Sequence, residues 1–325
     1  MGWWAFLWET FVAINAHDFI QLSTNTGMFR DDTNIGIALS GKNIYIIDTG
    51  SNETVGQDIL LALTELFPQK NIAAILNTHS HADHCGGNGF LVEHTGCEVW
   101  ASRNEAHLIE FPELQSALIW GGRPFKKIST SFYRAQTSGA VSHVFSGKPI
   151  ALADIVIETV PLPGHYFDQV GILVHDKADQ KQTFFLGDAI FGLSMIKRYW
   201  IPFMHDAPAF RKSLQLIADT PADFYVPSHG ERYGAEDIHE IAEVNMLATI
   251  ETELLIKKLL KRQSMTHEEL LKAVSDYACI PMGVGQYILI GSTLRSYLSC
   301  LYDAHEVTFE VKENRMLWKL SAGSE

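Results

Sequence analysis

A chain of 325 residues with 46% apolar and 19% charged residues can bury a large core, which excludes a disordered chain or a minimal stapled domain. Its formal net charge of −13 argues against broad binding to nucleic acid or to an anionic membrane surface. The four cysteines, Cys85, Cys97, Cys279 and Cys300, lie far apart without a C-x-x-C pair, which points to free thiols in a reducing cytoplasm.

The N-terminal stretch Met1-Gly2-Trp3-Trp4-Ala5-Phe6-Leu7-Trp8 is apolar, but it lacks a basic flank and is too short to span a bilayer. It reads as a lead-in segment packed on the body or on a partner subunit. Residues 11–50 predict a meander of strands at Phe11–Ile14, Asp18–Leu22, Asn34–Leu39 and Asn43–Ile47. The last of these runs into Asp48-Thr49-Gly50, where Asp48 is either a turn former or a carboxylate that supports a neighbouring site. Residues 55–67 carry Ile59, Leu60, Leu63, Leu66 and Phe67 at helical spacing until Pro68 stops the run.

Ile72–Leu76 is a short buried strand, followed at once by Asn77-Thr78-His79-Ser80-His81-Ala82-Asp83-His84 and by Gly86-Gly87, which open a helix. Three imidazoles and a carboxylate at a strand end are the N and O donors that zinc and similar cations take. A strand follows at Cys97–Ala101, and strand–helix alternation indicates an α/β layer arrangement. Residues 103–148 form an irregular insertion with short helices at Asn104–Glu110 and Glu113–Trp120. Its mixed aromatic and basic residues suit a pocket wall or a packing excursion equally.

Strands resume at Ile155–Val160, Val170–Val174, Thr183–Leu186 and Phe224–Val226. Three of them lead into a further donor beside a glycine: Pro163-Gly164-His165, Leu186-Gly187-Asp188 and Ser228-His229-Gly230. From residue 236 the pattern turns helical. Ile238–Arg262 is one long helix, Thr266 and Glu269 form a capping box for a second, and Gly285–Leu301 is a third. Glu306–Val311 and Arg315–Leu320 complete a hairpin.

Together T-H-S-H-A-D-H at 78–84, P-G-H at 163–165, L-G-D at 186–188 and S-H-G at 228–230, with D-T-G at 48–50, resemble the metallo-β-lactamase superfamily across residues 11–235. The resemblance implies an αβ/βα sandwich with a metal site at one edge, over residues 1–235. A small helical, winged-helix-like domain over 236–325 completes the fold class. It also implies that His79, His81 and His165 hold one cation, that Asp83, His84 and His229 hold a second, that Asp188 bridges them, and that Asp48 supports the ligands from behind. A carboxylate at 188 resembles the glyoxalase II-like, lactonase and nuclease branches. Tyr166-Phe167 after P-G-H departs from the usual Thr or Ser. Tyr166, Lys197 and Arg198 are the candidate substrate contacts.

Two Zn2+ per chain are expected, with iron or manganese also compatible with an all-N/O donor set. Paired cations lower the pKa of a shared water, and Asp83 would orient that water and accept its proton. The expected activity is metal-dependent hydrolysis of a small-molecule ester, either a thioester or a lactone. A phosphodiesterase or nuclease and an iron-dependent oxygenase of sulfur substrates are the alternatives. From residue 245 onward nine Lys and Arg face ten Asp and Glu, a net of −1, so the winged-helix-like piece suits packing, a homodimer or a pocket rim better than nucleic acid.

Overall fold

Strand alternation sets the architecture. The structure, a computed structural model, describes residues 13–130 and 132–322; the side chains of residues 198 and 199 also fall outside it. In the first sheet β1 (Phe19–Gln21), β2 (Thr26–Phe29), β3 (Ile35–Ser40), β4 (Asn43–Ile47), β5 (Asn71–Leu76), β6 (Glu98–Ala101) and β7 (His143–Val144) lie side by side in that order. Pairing is antiparallel from β1 to β4 and parallel from β4 to β7. The second sheet holds β8 (Ile150–Ala151), β9 (Ile155–Pro161), β10 (Val170–Asp176), β11 (Gln182–Gly187), β12 (Phe224–Pro227) and β13 (Tyr233–Gly234), again as sequence neighbours. Only its β11–β12 pair is parallel.

Helices cover the outer face of each sheet. Beside the first are α1 (Glu53–Leu66), α2 (Ala82–Cys85), α3 (Asn88–Thr95), α4 (Arg103–Glu110) and α5 (Glu113–Trp120). Beside the second are α6 (Leu193–Tyr199), α7 (Ala207–Asp219), α8 (Ile238–Arg262), α9 (His267–Tyr277) and α10 (Val284–Asp303), followed by the hairpin β14 (Val307–Lys312) and β15 (Arg315–Leu320). Local chemistry fixes several ends. Asn52 caps α1 through bonds from Thr54 N and Val55 N. Asp206 caps α7 ahead of Pro208, and Thr266 and Glu269 form the reciprocal box expected at α9.

The period of two sends alternate side chains to different layers. Along β4, Ile44 and Ile46 pack under α1, while Tyr45 and Ile47 enter the space between the sheets with Ile157, Ile172 and Phe185. Along β11, Phe184 and Leu186 face α7 and the C-terminal helices. Residues from Leu162 to Val307 share that last core, so α8–α10 are built onto the second sheet through buried side chains. Each fully buried Ile or Phe there contributes about 1.5–3 kcal/mol relative to exposure.

The elements correct the sequence reading at the start of the chain. Of the strand expected at Phe11–Ile14, Phe11 and Val12 lie outside the described residues. Ala13 and Ile14 are not in a strand. The Trp-rich segment also lies outside the described residues. The fourth member of the antiparallel meander is β2, whose Thr26-Gly27-Met28-Phe29 is buried at every position and so shows no alternation. Among the described residues no helix is long and apolar enough to cross a membrane.

Candidate metal centre

Each candidate donor follows a strand end of one sheet or the other, so the edge where the two sheets meet gathers them. Leu76 ends β5, and the loop behind it is pinned from both sides: Asn77 Nδ2 donates to His84 O at 3.0 Å and Thr49 N donates to the same carbonyl at 2.8 Å. The short helix α2 then presents Asp83 and His84. His165 follows Gly164, whose φ of +129° suits glycine alone; a Cβ there would lie 2.2 Å from Phe210 N. Asp188 follows Gly187 at φ +57°, and His229 precedes Gly230 at φ +102°.

The donors converge as two groups. His79 Nε2 and His165 Nε2 each lie 3.0 Å from His81 Nδ1. Asp83 Oδ2 lies 3.3 Å from His229 Nε2 and 3.7 Å from His84 Nε2. Asp188 stands between them. Its Oδ2 is 3.4 Å from His165 Nε2, while its Oδ1 is 3.4 Å from His84 Nε2 and 3.5 Å from His229 Nε2. A tetrahedral zinc with bonds of 2.0–2.1 Å would set its ligands about 3.3–3.4 Å apart, close to these spacings.

The tautomers show what the cluster accommodates. His84 Nδ1 donates to Asp48 Oδ2 at 2.8 Å, His165 Nδ1 to Phe203 O at 2.9 Å, and His229 Nδ1 to Asp32 O at 2.6 Å. His79 Nδ1 lies 3.2 Å from Thr78 Oγ1, whose own proton goes to Asp48 Oδ2 at 2.8 Å. In the neutral form that ligates a cation, each of these rings would turn an Nε2 lone pair towards other donor atoms and carboxylates. Among the described residues the buried atoms His84 Nε2 and Asp188 Oδ1 have no hydrogen-bond partner. Lone pairs facing one another in a buried site are repulsive unless a cation sits among them. The residues present thus fit divalent-cation binding.

Electrostatics divide the cluster in the same way. Burial, then His84 and the other two rings of the trio, hold His79 well below the ordinary imidazole range. Burial and His165 push His81 down to about 3. Burial likewise lowers His165. Neutral imidazole is the form that ligates a cation. In the other group burial disfavours charge, yet Asp83, Asp188 and Asp48 outweigh it and raise His84 to about 10. His229 is raised against burial by Asp188 and Asp83. Asp83 is held low by His84 and His229, and Asp188 by His229 and His84, in both cases against burial. These acidic groups call for positive charge beside them.

Asp48 takes the supporting role rather than that of a free turn former. It accepts from Thr78 N at 2.9 Å, Thr78 Oγ1 and His84 Nδ1, and its own φ is +60°. Tyr166 is 2% exposed, with its ring centroid 4.2 Å from that of His81, so it packs the ligand rather than lining open space. Lys197 is exposed on α6, and the Arg198 side chain lies outside the described residues.

Two residues that sequence reasoning passed over tie the ligand loops together. Glu105 on α4 accepts from Ser80 N at 3.0 Å and Ser80 Oγ at 2.6 Å with one oxygen, and from Asp168 N at 2.9 Å with the other. It thereby joins the His79–His81 loop to the loop after His165. Its S-x-x-E spacing from Ser102 reads as a capping box, but Ser102 Oγ instead donates to Asp168 O at 2.6 Å. Gln115 on α5 donates to Ser80 O. Support also arrives from the C-terminal helices. Asn245 on α8 accepts from Phe191 N at 2.9 Å and donates to Phe191 O at 2.8 Å, just past Asp188. Met204 N, beside Phe203, donates to Thr293 Oγ1 on α10 at 3.1 Å.

A four-layer αβ/βα sandwich with a histidine–aspartate metal cluster at its edge is the class that fold and site define. A model of the metallo-beta-lactamase superfamily matches residues 29–229, and the chain belongs to that superfamily. It is 25% identical over 210 residues to an atrochrysone carboxyl ACP thioesterase of Aspergillus chevalieri, covering 64% of this chain and 55% of the other. It is 28% identical over 152 residues to hydroxyacylglutathione hydrolase GloC of Haemophilus influenzae, covering 46% of this chain and 62% of the other. The chain thus spans little more than half the length of these curated relatives. A beta-lactamase domain protein from Burkholderia ambifaria shares the fold over 94% of both chains, with a TM-score of 0.72 at 14% identity.

Proposed function

We propose that this chain is a binuclear metal-dependent hydrolase of a small activated ester, with a thioester as the favoured substrate. The observation that carries this reading is the placement of Asp188, one oxygen beside the His79–His81–His165 group and the other beside His84 and His229. Two divalent cations in such a site, zinc being the first choice, lower the pKa of water and polarise a carbonyl oxygen.

The chain's own groups supply orientation and proton handling. Asp83 has a side chain 43% exposed, against 0% for His84, 6% for Asp188 and 13% for His229, so it marks the open side of the cluster. Held ionised, its carboxylate orients the attacking water and takes its proton. Phe203 flanks His81 and His165, and Phe167 packs at a tilt against His205, giving the approach an apolar wall. A thiolate leaves without a proton donor, whereas an alkoxide or amine needs one. The thioesterase and hydroxyacylglutathione hydrolase among the relatives support the same preference.

The test is turnover by the zinc-loaded protein on a panel of thioester, lactone, β-lactam and phosphodiester substrates. Thioester cleavage that is lost in Asp188→Ala and after chelation supports the proposal. Phosphodiester cleavage with thioesters left at background removes it.

A further inference from the structure

The insertion holds a second concave site. A cavity of about 290 Å³ opens between α5 and the segment after it, lined by Ser116, Arg123, Lys126, Ser129, Arg134 and Glu113 among others. Between residues 121 and 134 the sequence places Arg123, Lys126, Lys127 and Arg134 and no acidic residue, in a chain whose net charge is −13. Arg123, Lys126 and Arg134 line the cavity against the single carboxylate of Glu113, leaving it locally positive. Glu113 lies 3.6 Å from Arg134, with its side chain 70% exposed to solvent, where the pair is screened.

A basic run on a protein surface is ordinarily just a solvated face. Here the cations line a concavity, and Ser116 beneath it is 2% exposed, with a buried hydroxyl that has no hydrogen-bond partner among the described residues. Arg123 and Lys126 form no ion pair among the described residues. Forked guanidiniums and an ammonium are the donor set that recognises a tetrahedral oxyanion. The helix that lines the cavity also reaches the metal centre from another face: Gln115, the residue before Ser116 on α5, donates to Ser80 O between His79 and His81.

We propose that this cavity binds a phosphate group, supplied either as free phosphate or as part of the substrate. The substrate-borne form rests on the thioester reading above; the binding itself does not. In that form the phosphate anchors one end of the substrate in the insertion while the acyl carbon lies at the metal cluster.

The test uses the metal-loaded full chain. Titration with inorganic phosphate, followed by 31P NMR or calorimetry, is compared between the unaltered protein and Arg123→Gln/Lys126→Gln at matched metal content. A tenfold or greater weakening in the double variant supports the site. Equal affinity in both proteins overturns it, because any phosphate bound then sits elsewhere, including on the metals. Paired acyl thioesters with and without a phosphate on the thiol arm identify the source. A lower KM for the phosphorylated member, abolished in the double variant, assigns a substrate-borne phosphate; cavity-dependent phosphate binding with no KM difference assigns free phosphate. If neither thioester turns over, the hydrolase proposal fails while the phosphate titration still decides the cavity.

Discussion

Asp48→Asn separates the two halves of the metal cluster with a near-isosteric change. Asp48 lies at φ +60°, a conformation asparagine tolerates, so the backbone can stay in place. The new Oδ1 keeps the bond from Thr78 N, now 2.9 Å, and the amide nitrogen then replaces the oxygen that receives His84 Nδ1 at 2.8 Å. Two donors would face each other unless His84 moves its ring proton to Nε2, the atom that points at Asp83 and Asp188. The group formed with Asp83 and His229 loses a lone pair, whereas His81 and His165 keep theirs, and His79 keeps its own because the Thr78 hydroxyl, which also donates to Asp48 Oδ2, can rotate to accept from the new amide. Loss of such an outer partner costs about 10–100-fold in metal affinity, which is about 1.4–2.8 kcal/mol. Competition with a chromophoric chelator, read alongside elemental analysis, should show one weakened and one retained site. Two sites of unaltered affinity in Asp48→Asn would refute the tautomer reasoning.

Glu105 gives a pH signature. Burial raises its carboxyl from 4.5 to about 7, against bonds from Ser80 and Asp168 that pull it down. A folded pKa above the unfolded one means a proton held more tightly in the folded chain. The stability it contributes is therefore full below about pH 4.5 and lost as pH rises towards about 7, by roughly 3 kcal/mol. Denaturant unfolding of Glu105→Gln should lack this decline, and an identical decline in variant and parent would remove Glu105 as its source. Gly164→Ala should cost more than about 3 kcal/mol, because its Cβ would meet the Phe210 backbone; a melting temperature within a degree or two of the parent would contradict this. Stripping metal should lower the melting temperature by several degrees, restored on adding zinc, since a ligand bound only to the folded chain stabilises it. No change on stripping would mean that metal binding and folding are not linked.

The gathering of the candidate donors was legible because each of the four segments that carry them follows a strand end. His79 follows β5, His165 follows β9, Asp188 follows β11 and His229 follows β12. Strands with β-branched and aromatic runs announce themselves, and glycines beside donors mark close backbone approach. The C-terminal helices were legible too, with Ile238–Arg262 and the Thr266 cap where periodicity places them. What stayed hidden depends on contacts distant in sequence. Strand β2 has no alternation because both its faces are buried. Helix α7 went unread although Asp206 and Pro208 carry its start signal. Glu105 acts on a loop 25 residues away, and a local pattern offers a more ordinary explanation of it. The capping carbonyls of Asp32 and Phe203 have no side-chain signature at all.

Elemental analysis of the protein purified without chelator or added metal bears most directly on the gathered donor set. The expected result is about two equivalents of a divalent cation per chain, with uptake to that level when the purified protein is short of it. A folded chain that carries none, and takes up none on titration with zinc, iron or manganese, would contradict the account.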